Sequence, residues 1–85
     1  VDTVPDIESI EQALEYMEQA IRQNIRRMDI CTRYSSLQYL IILFEPDETH
    51  IPDIIERIFT QYYRQCDNHD FQPSYEYLEI SPQEL

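Results

Sequence analysis

Not one of the 85 residues is glycine, although an average usage of about 7% would supply roughly six. Glycine takes positive φ without steric cost and lets backbone approach a ligand closely. A chain without it cannot build the Gly-rich phosphate-cradling loops of dinucleotide-binding or P-loop proteins, so those nucleotide-binding modes are excluded for this segment. Two-residue hairpin turns, which favour Gly or Asn at positive φ, must be made some other way.

Hydrophobic spacing places the regular elements. Ile7, Ile10, Leu14, Met17, Ile21 and Ile25 recur at intervals of three and four, the signature of an amphipathic helix. Pro5 and Asp6 stand at its start. Glu8, Glu11, Glu15 and Glu18 precede Arg22, Arg26 and Arg27, an order that suits the helix dipole. Met28 to Tyr34 alternates as a strand should. Leu37 to Phe44 is nearly all apolar after Gln38, as in a central strand covered on both faces. Ser35 and Ser36 are left as a tight turn, either strained or slightly wider than two residues. After an acidic loop at Glu45 to Glu48, the stripe Ile51, Ile54, Ile55, Ile58, Phe59 and Tyr62 marks a second helix over Ile51 to Arg64. Thr49 is its candidate N-cap and Pro52 fits its first turn. Gln65 to Asp70 reads as a polar loop. Phe71 to Ile80 reads as a last strand, with Pro73 marking an edge or bulge at its start.

The order is α-β-β-α-β: an α+β chain with an antiparallel sheet and helices on one face. One strand placed in front would complete the ferredoxin-like βαββαβ arrangement. Without it, the most apolar strand borders an unprotected edge. The chain is then a fragment, or pairs that edge with another copy, or has a different topology. At 85 residues it is one small domain or part of one, with a modest core.

Seventeen acidic residues against six basic ones set a net charge of −11, which repels nucleic acid and anionic membranes. All six basic residues are arginine, whose planar fork suits carboxylate and phosphate oxygens. Arg22, Arg26, Arg27 and Arg33 cluster in one stretch, and pairing with the glutamates of the same helix accounts for Arg22 and Arg27. Cys31 and Cys66 make no disulfide framework, and Cys31 reads as a small buried residue. The longest apolar run, Tyr39 to Phe44, is too short to cross a bilayer. With no leader pattern, a cytoplasmic location and no direct membrane insertion are expected.

The stretch from Arg26 to Tyr39 (RRMDICTRYSSLQY) resembles a segment of the GGDEF, or diguanylate cyclase-like, family. In that family an Arg-x-x-Asp motif precedes the five-residue signature by five positions, and Arg26 and Asp29 fit it. Arg33-Tyr34 resembles the pair that often comes directly before the signature. Leu40 to Leu43 resembles the strand after it, and Glu56-Arg57-Ile58 resembles part of a later helix. The likeness covers roughly Ile10 to Tyr63 and implies a single, partial domain with a ferredoxin-like core. The family's first strand, with its metal-binding Asp, and its basic C-terminal segment have no counterpart here.

The signature positions themselves read Ser35-Ser36-Leu37-Gln38-Tyr39. Active members have two glycines and two acidic residues at the first four. Joining two nucleoside triphosphates needs metal to offset phosphate charge, and Leu37 and Gln38 offer no carboxylate. The resemblance therefore implies a retained fold, a lost activity, and no catalytic residue, metal or cofactor. It also implies a surviving site for cyclic di-GMP, with Arg26 toward phosphate or a guanine edge and Asp29 accepting from guanine N–H groups; alternation puts Arg33 on the same strand face as Asp29, where it would add charge. Against this stands the plain alternative that Arg26 and Asp29 pair with each other or cap the helix. The expected functions are accordingly a non-catalytic signalling domain that senses cyclic di-GMP, or a module that docks a protein partner or forms a homodimer. Other donors are weaker candidates. The run Cys66 to Asp70 lacks the second ligand pair of a structural zinc site, His50 stands alone, and Ser35 and Ser36 have no histidine to activate them. Tyr62, Tyr63, Tyr75 and Tyr77 suit a core or a protein interface.

Overall fold

A computed structural model describes residues 7–66 and 72–80. The helix start at Pro5 and Asp6, the polar run 67–70, Phe71 and the 81–85 tail lie outside the described residues. Helix α1 spans Ile7–Asn24, strand β1 Ile30–Ser35, strand β2 Gln38–Ile42 and helix α2 Ile51–Gln65, with a short 3-10 turn at Glu48–His50. The described chain is thus a small α+β structure with two helices and a two-stranded antiparallel sheet.

The helices meet along a seam of small residues. Ala13 and Ala20 are buried in α1 beside Ile21, and α2 answers with Ile58 and Tyr62. Alanine adds only a methyl group, and interaxial distance follows the side chains at the contact, so these positions bring α2 close. The regular apolar positions Ile10, Leu14 and Met17 are half-buried, and Ile7 is exposed. Polar side chains close the same seam: Asn24 donates to the Ala20 carbonyl at 2.7 Å and to Gln61 at 3.0 Å, and Gln61 donates to Gln23.

The sheet lays one face on the helices. Cys31 joins the buried cluster, as expected for a small apolar residue, while Tyr39 and Ile41 pack against it. The Tyr39 hydroxyl donates to the Leu14 carbonyl at 3.0 Å and to Glu18 at 3.3 Å. The other face carries Ile30, Leu40 and Ile42, at 44%, 43% and 37% exposure. Among the described residues β2 is therefore covered on one face only, and the expectation of cover on both is corrected: the helices supply a single layer.

The hairpin turn falls one residue later than expected, at Ser36 and Leu37. Ile30↔Ile42 through Arg33↔Tyr39 keep one register, which then shifts so that Ser35 faces Gln38. Tyr34 is the extra residue, a β-bulge. Among the described residues only Glu45 has positive φ, at 48°, so the turn avoids the conformation that glycine would have eased. Arg33 secures it instead, donating to the carbonyls of Ser35 at 3.0 Å and Ser36 at 2.8 Å.

Three further expectations are corrected. Asp47, not Thr49, caps the second helical run: its carboxylate accepts from the Thr49 N–H at 3.0 Å and hydroxyl at 2.7 Å, and the 3-10 turn leads into α2 with Pro52 in its first turn. Cys66 is buried in the core rather than part of a polar loop. No strand forms over 72–80. A strand exists through its ladder, and this segment makes no backbone hydrogen bond among the described residues. Its anchor is aromatic: Tyr75 meets Phe59 of α2 edge-on at 5.8 Å, and the Tyr77 ring stacks on Tyr75. Among the described residues, no helix is long and apolar enough to cross a membrane.

Candidate functional site

Arg26 and Asp29 lie where α1 gives way to β1. The Asp29 N–H donates to the Arg26 carbonyl at 3.0 Å, closing a tight turn that brings both side chains together. The Asp29 carboxylate then accepts four hydrogen bonds. Three come from Arg26: its backbone N–H at 2.8 Å, Nε at 3.1 Å and Nη2 at 3.1 Å. The fourth comes from the Phe44 N–H, beyond the end of β2, at 3.0 Å. Arg26 Nη2 also donates to the Phe44 carbonyl. The pair is a clasp that ties the exit of α1 to the exit of β2. It is lopsided in exposure: the Asp29 side chain is 2% exposed and that of Arg26 51%.

A carboxylate has about four lone-pair sites, and the clasp uses all of them on the chain itself. Burial opposes ionisation of Asp29, but the Arg26 side chain, the Phe44 and Arg26 N–H groups and the Arg26 charge together outweigh it. The pKa lies below the usual carboxylate value. A carboxyl whose folded pKa is depressed contributes stability above its unfolded pKa and loses it as pH falls toward the folded one. We expect the wild-type chain to lose stability as pH drops below about 4, and Asp29→Asn to remove this component of the decline. Urea titrations of both proteins across that range check it; parallel curves would show that Asp29 is not the group responsible.

Arg33 is not brought to the clasp. Its bonds go instead to the turn carbonyls of Ser35 and Ser36. Its guanidinium sits 5.7 Å from the Tyr39 ring centroid, in a groove against α1 that Glu18, Arg22 and Leu14 also line. Arg22 bonds Glu18 at 3.0 Å, the helix pairing expected of it, and reaches the Cys31 carbonyl at 3.3 Å. That Arg22 bond, chiefly, holds the Glu18 carboxyl below its ordinary value.

The five signature positions occupy the hairpin tip. Ser35 ends β1, Ser36 and Leu37 make the turn, and Gln38 and Tyr39 begin β2. The Ser35 hydroxyl bonds Gln38 Oε1 at 2.7 Å, and Tyr39 alone of the five turns into the core. His50, expected to stand alone, lies 3.5 Å from Asp47 and 3.7 Å from Asp53. Among the described residues, no group of three or more His, Cys, Asp or Glu side chains is gathered to hold a metal. Sequence reasoning missed Phe44 as the third member of the clasp, because it takes part through its main chain and no residue type signals that role. Comparison with protein-family models, with curated proteins and with solved structures finds no match for this chain.

Proposed function

We propose that this chain is a non-catalytic interaction module, built on a ferredoxin-like core of the GGDEF kind whose signature has decayed. The observation that carries this reading is the outer face of the hairpin, where Ile30, Leu40 and Ile42 stand uncovered on adjacent strands. Uncovered neighbouring apolar side chains mark association surfaces more often than isolated ones do. The clasp supports the same reading from the other side. Asp29 cannot accept from a guanine edge until Arg26 and Phe44 release it. Leu37 and Gln38, where the resemblance would place metal-binding and catalytic carboxylates, supply none.

The competing reading, a receptor for cyclic di-GMP, rests on the half-exposed Arg26 guanidinium. Calorimetric titration of cyclic di-GMP into the wild-type chain and into Arg26→Ala separates the two. The expected result is no heat of binding to either protein, and no cyclic di-GMP formed from GTP and magnesium. Binding to wild type that disappears in Arg26→Ala would replace the interaction reading with that of a receptor.

A further inference from the structure

The chain carries both halves of an unmade strand pairing. One half is the outer edge of β2. Among the described residues no strand lies beside that edge, and Gln38–Ile42 carries no charge, no proline and no bulge to guard it. β1 differs, because its own edge is interrupted by the bulge at Tyr34 and carries Arg33. The other half is the segment 72–80. Its backbone groups make no hydrogen bond among the described residues, and Tyr75 and Tyr77 stack on one side, as residues two apart do along a strand. Tyr77, Leu78 and Ile80 are exposed. An isolated hairpin is marginal in water and is stabilised by packing on a helix or by further strands; here the helices cover one face, and a third strand would add to that support.

We infer that two copies of this chain exchange these segments: residues 72–80 of each copy add as a strand to the β2 edge of the other. The pairing is reciprocal, so one two-fold axis satisfies both open edges at once. An edge with a free row of N–H and C=O groups specifies extended main chain as its occupant. The chain itself supplies such a strand, with apolar residues to lie over Leu40 and Ile42. This rests on the interaction reading above and names its partner. The net charge of −11 on each copy opposes the union at long range, so association strengthens as salt screens it.

Sedimentation of the 85-residue chain across a dilution series, at low and at high salt, tests the exchange. The expected result is a dimer whose affinity rises with salt. The double variant Leu78→Pro/Glu79→Pro removes N–H groups at two successive positions. Whichever side of the strand faces the partner therefore loses a ladder donor, and dimerisation weakens by about tenfold or more. Both substitutions lie outside the helices and the hairpin, so circular dichroism of the variant should match wild type. Hydrogen exchange should show Gln38–Ile42 amides more protected in the dimer than in the diluted monomer. A wild-type monomer at every concentration overturns the exchange, as does a dimer indifferent to the prolines or one that leaves those amides unprotected. The failures are separable: a monomer that also ignores cyclic di-GMP removes the exchange alone, whereas ligand binding lost in Arg26→Ala removes the interaction reading beneath it.

Discussion

Asp29→Ala lowers the unfolding free energy by about 3 kcal/mol, read from urea denaturation at neutral pH with an unchanged m-value. Alanine abolishes all four bonds to the carboxylate at once. The backbone N–H groups of Arg26 and Phe44 then lose their acceptor, at about 1–3 kcal/mol for each donor that stays out of water. Breaking a fully buried ion pair from one side costs about 3–5 kcal/mol because a charge is stranded. Here Arg26 is half-exposed and returns to solvent, which keeps the loss at the lower end of that range. Asp29→Asn retains one carbonyl acceptor and should lose less than alanine does. The whole stability of a domain this size is about 4–13 kcal/mol, so the clasp holds a substantial share. A loss below about 1 kcal/mol would reduce it to an ordinary surface pair.

Ile58→Ala costs a similar amount for a different reason. The buried cluster contains Ala13, Ala20, Ile21, Cys31, Ile58, Tyr62 and Cys66, and two alanines and two cysteines bring little bulk. Ile58 is 2% exposed and is among the few large apolar side chains filling the centre. Truncating a buried isoleucine to alanine costs about 2–5 kcal/mol, more where the surroundings cannot collapse into the gap. The seam between α1 and α2 is already set by alanines, so little closer approach remains. We expect about 3 kcal/mol, with Tm lowered by more than about 10 °C in a chain of this length. A Tm within a few degrees of wild type would show that the helices slide together to fill the space.

The helices and the hairpin were legible because each has a period. Ile21, Ile58 and Tyr62 fall on the stripes that spacing marks, and all are buried. Ala13 and Ala20 were not legible, because hydrophobic periodicity weights large side chains while close helix packing selects small ones. The run of apolar residues in β2 suggested two covers, yet composition records only that a face avoids water, not what covers it. The helix cap moved from Thr49 to Asp47 because a 3-10 turn extends the helical path upstream, which no count of apolar positions reveals. At the candidate site the Arg26–Asp29 pairing was legible from its spacing. Arg33 was misplaced because alternation assigns a face, and Asp29 belongs to a turn rather than to the strand. Residues 72–80 show the largest gap, since strand propensity says which residues suit a ladder and nothing about whether a partner stands beside them.

The clasp also sets how the chain answers to force. Arg26 and Asp29 precede β1, and Phe44 follows β2, so the contact closes the open end of the hairpin. Pulling the chain apart between α1 and α2 draws directly on that end. Tension therefore meets the clasp before it reaches the cross-strand bonds, and these can unzip in succession only after Asp29 lets go. The exposed side of the Arg26 fork is where water first competes for those bonds, so the resistance of the hairpin to stretching is governed from a point outside the sheet.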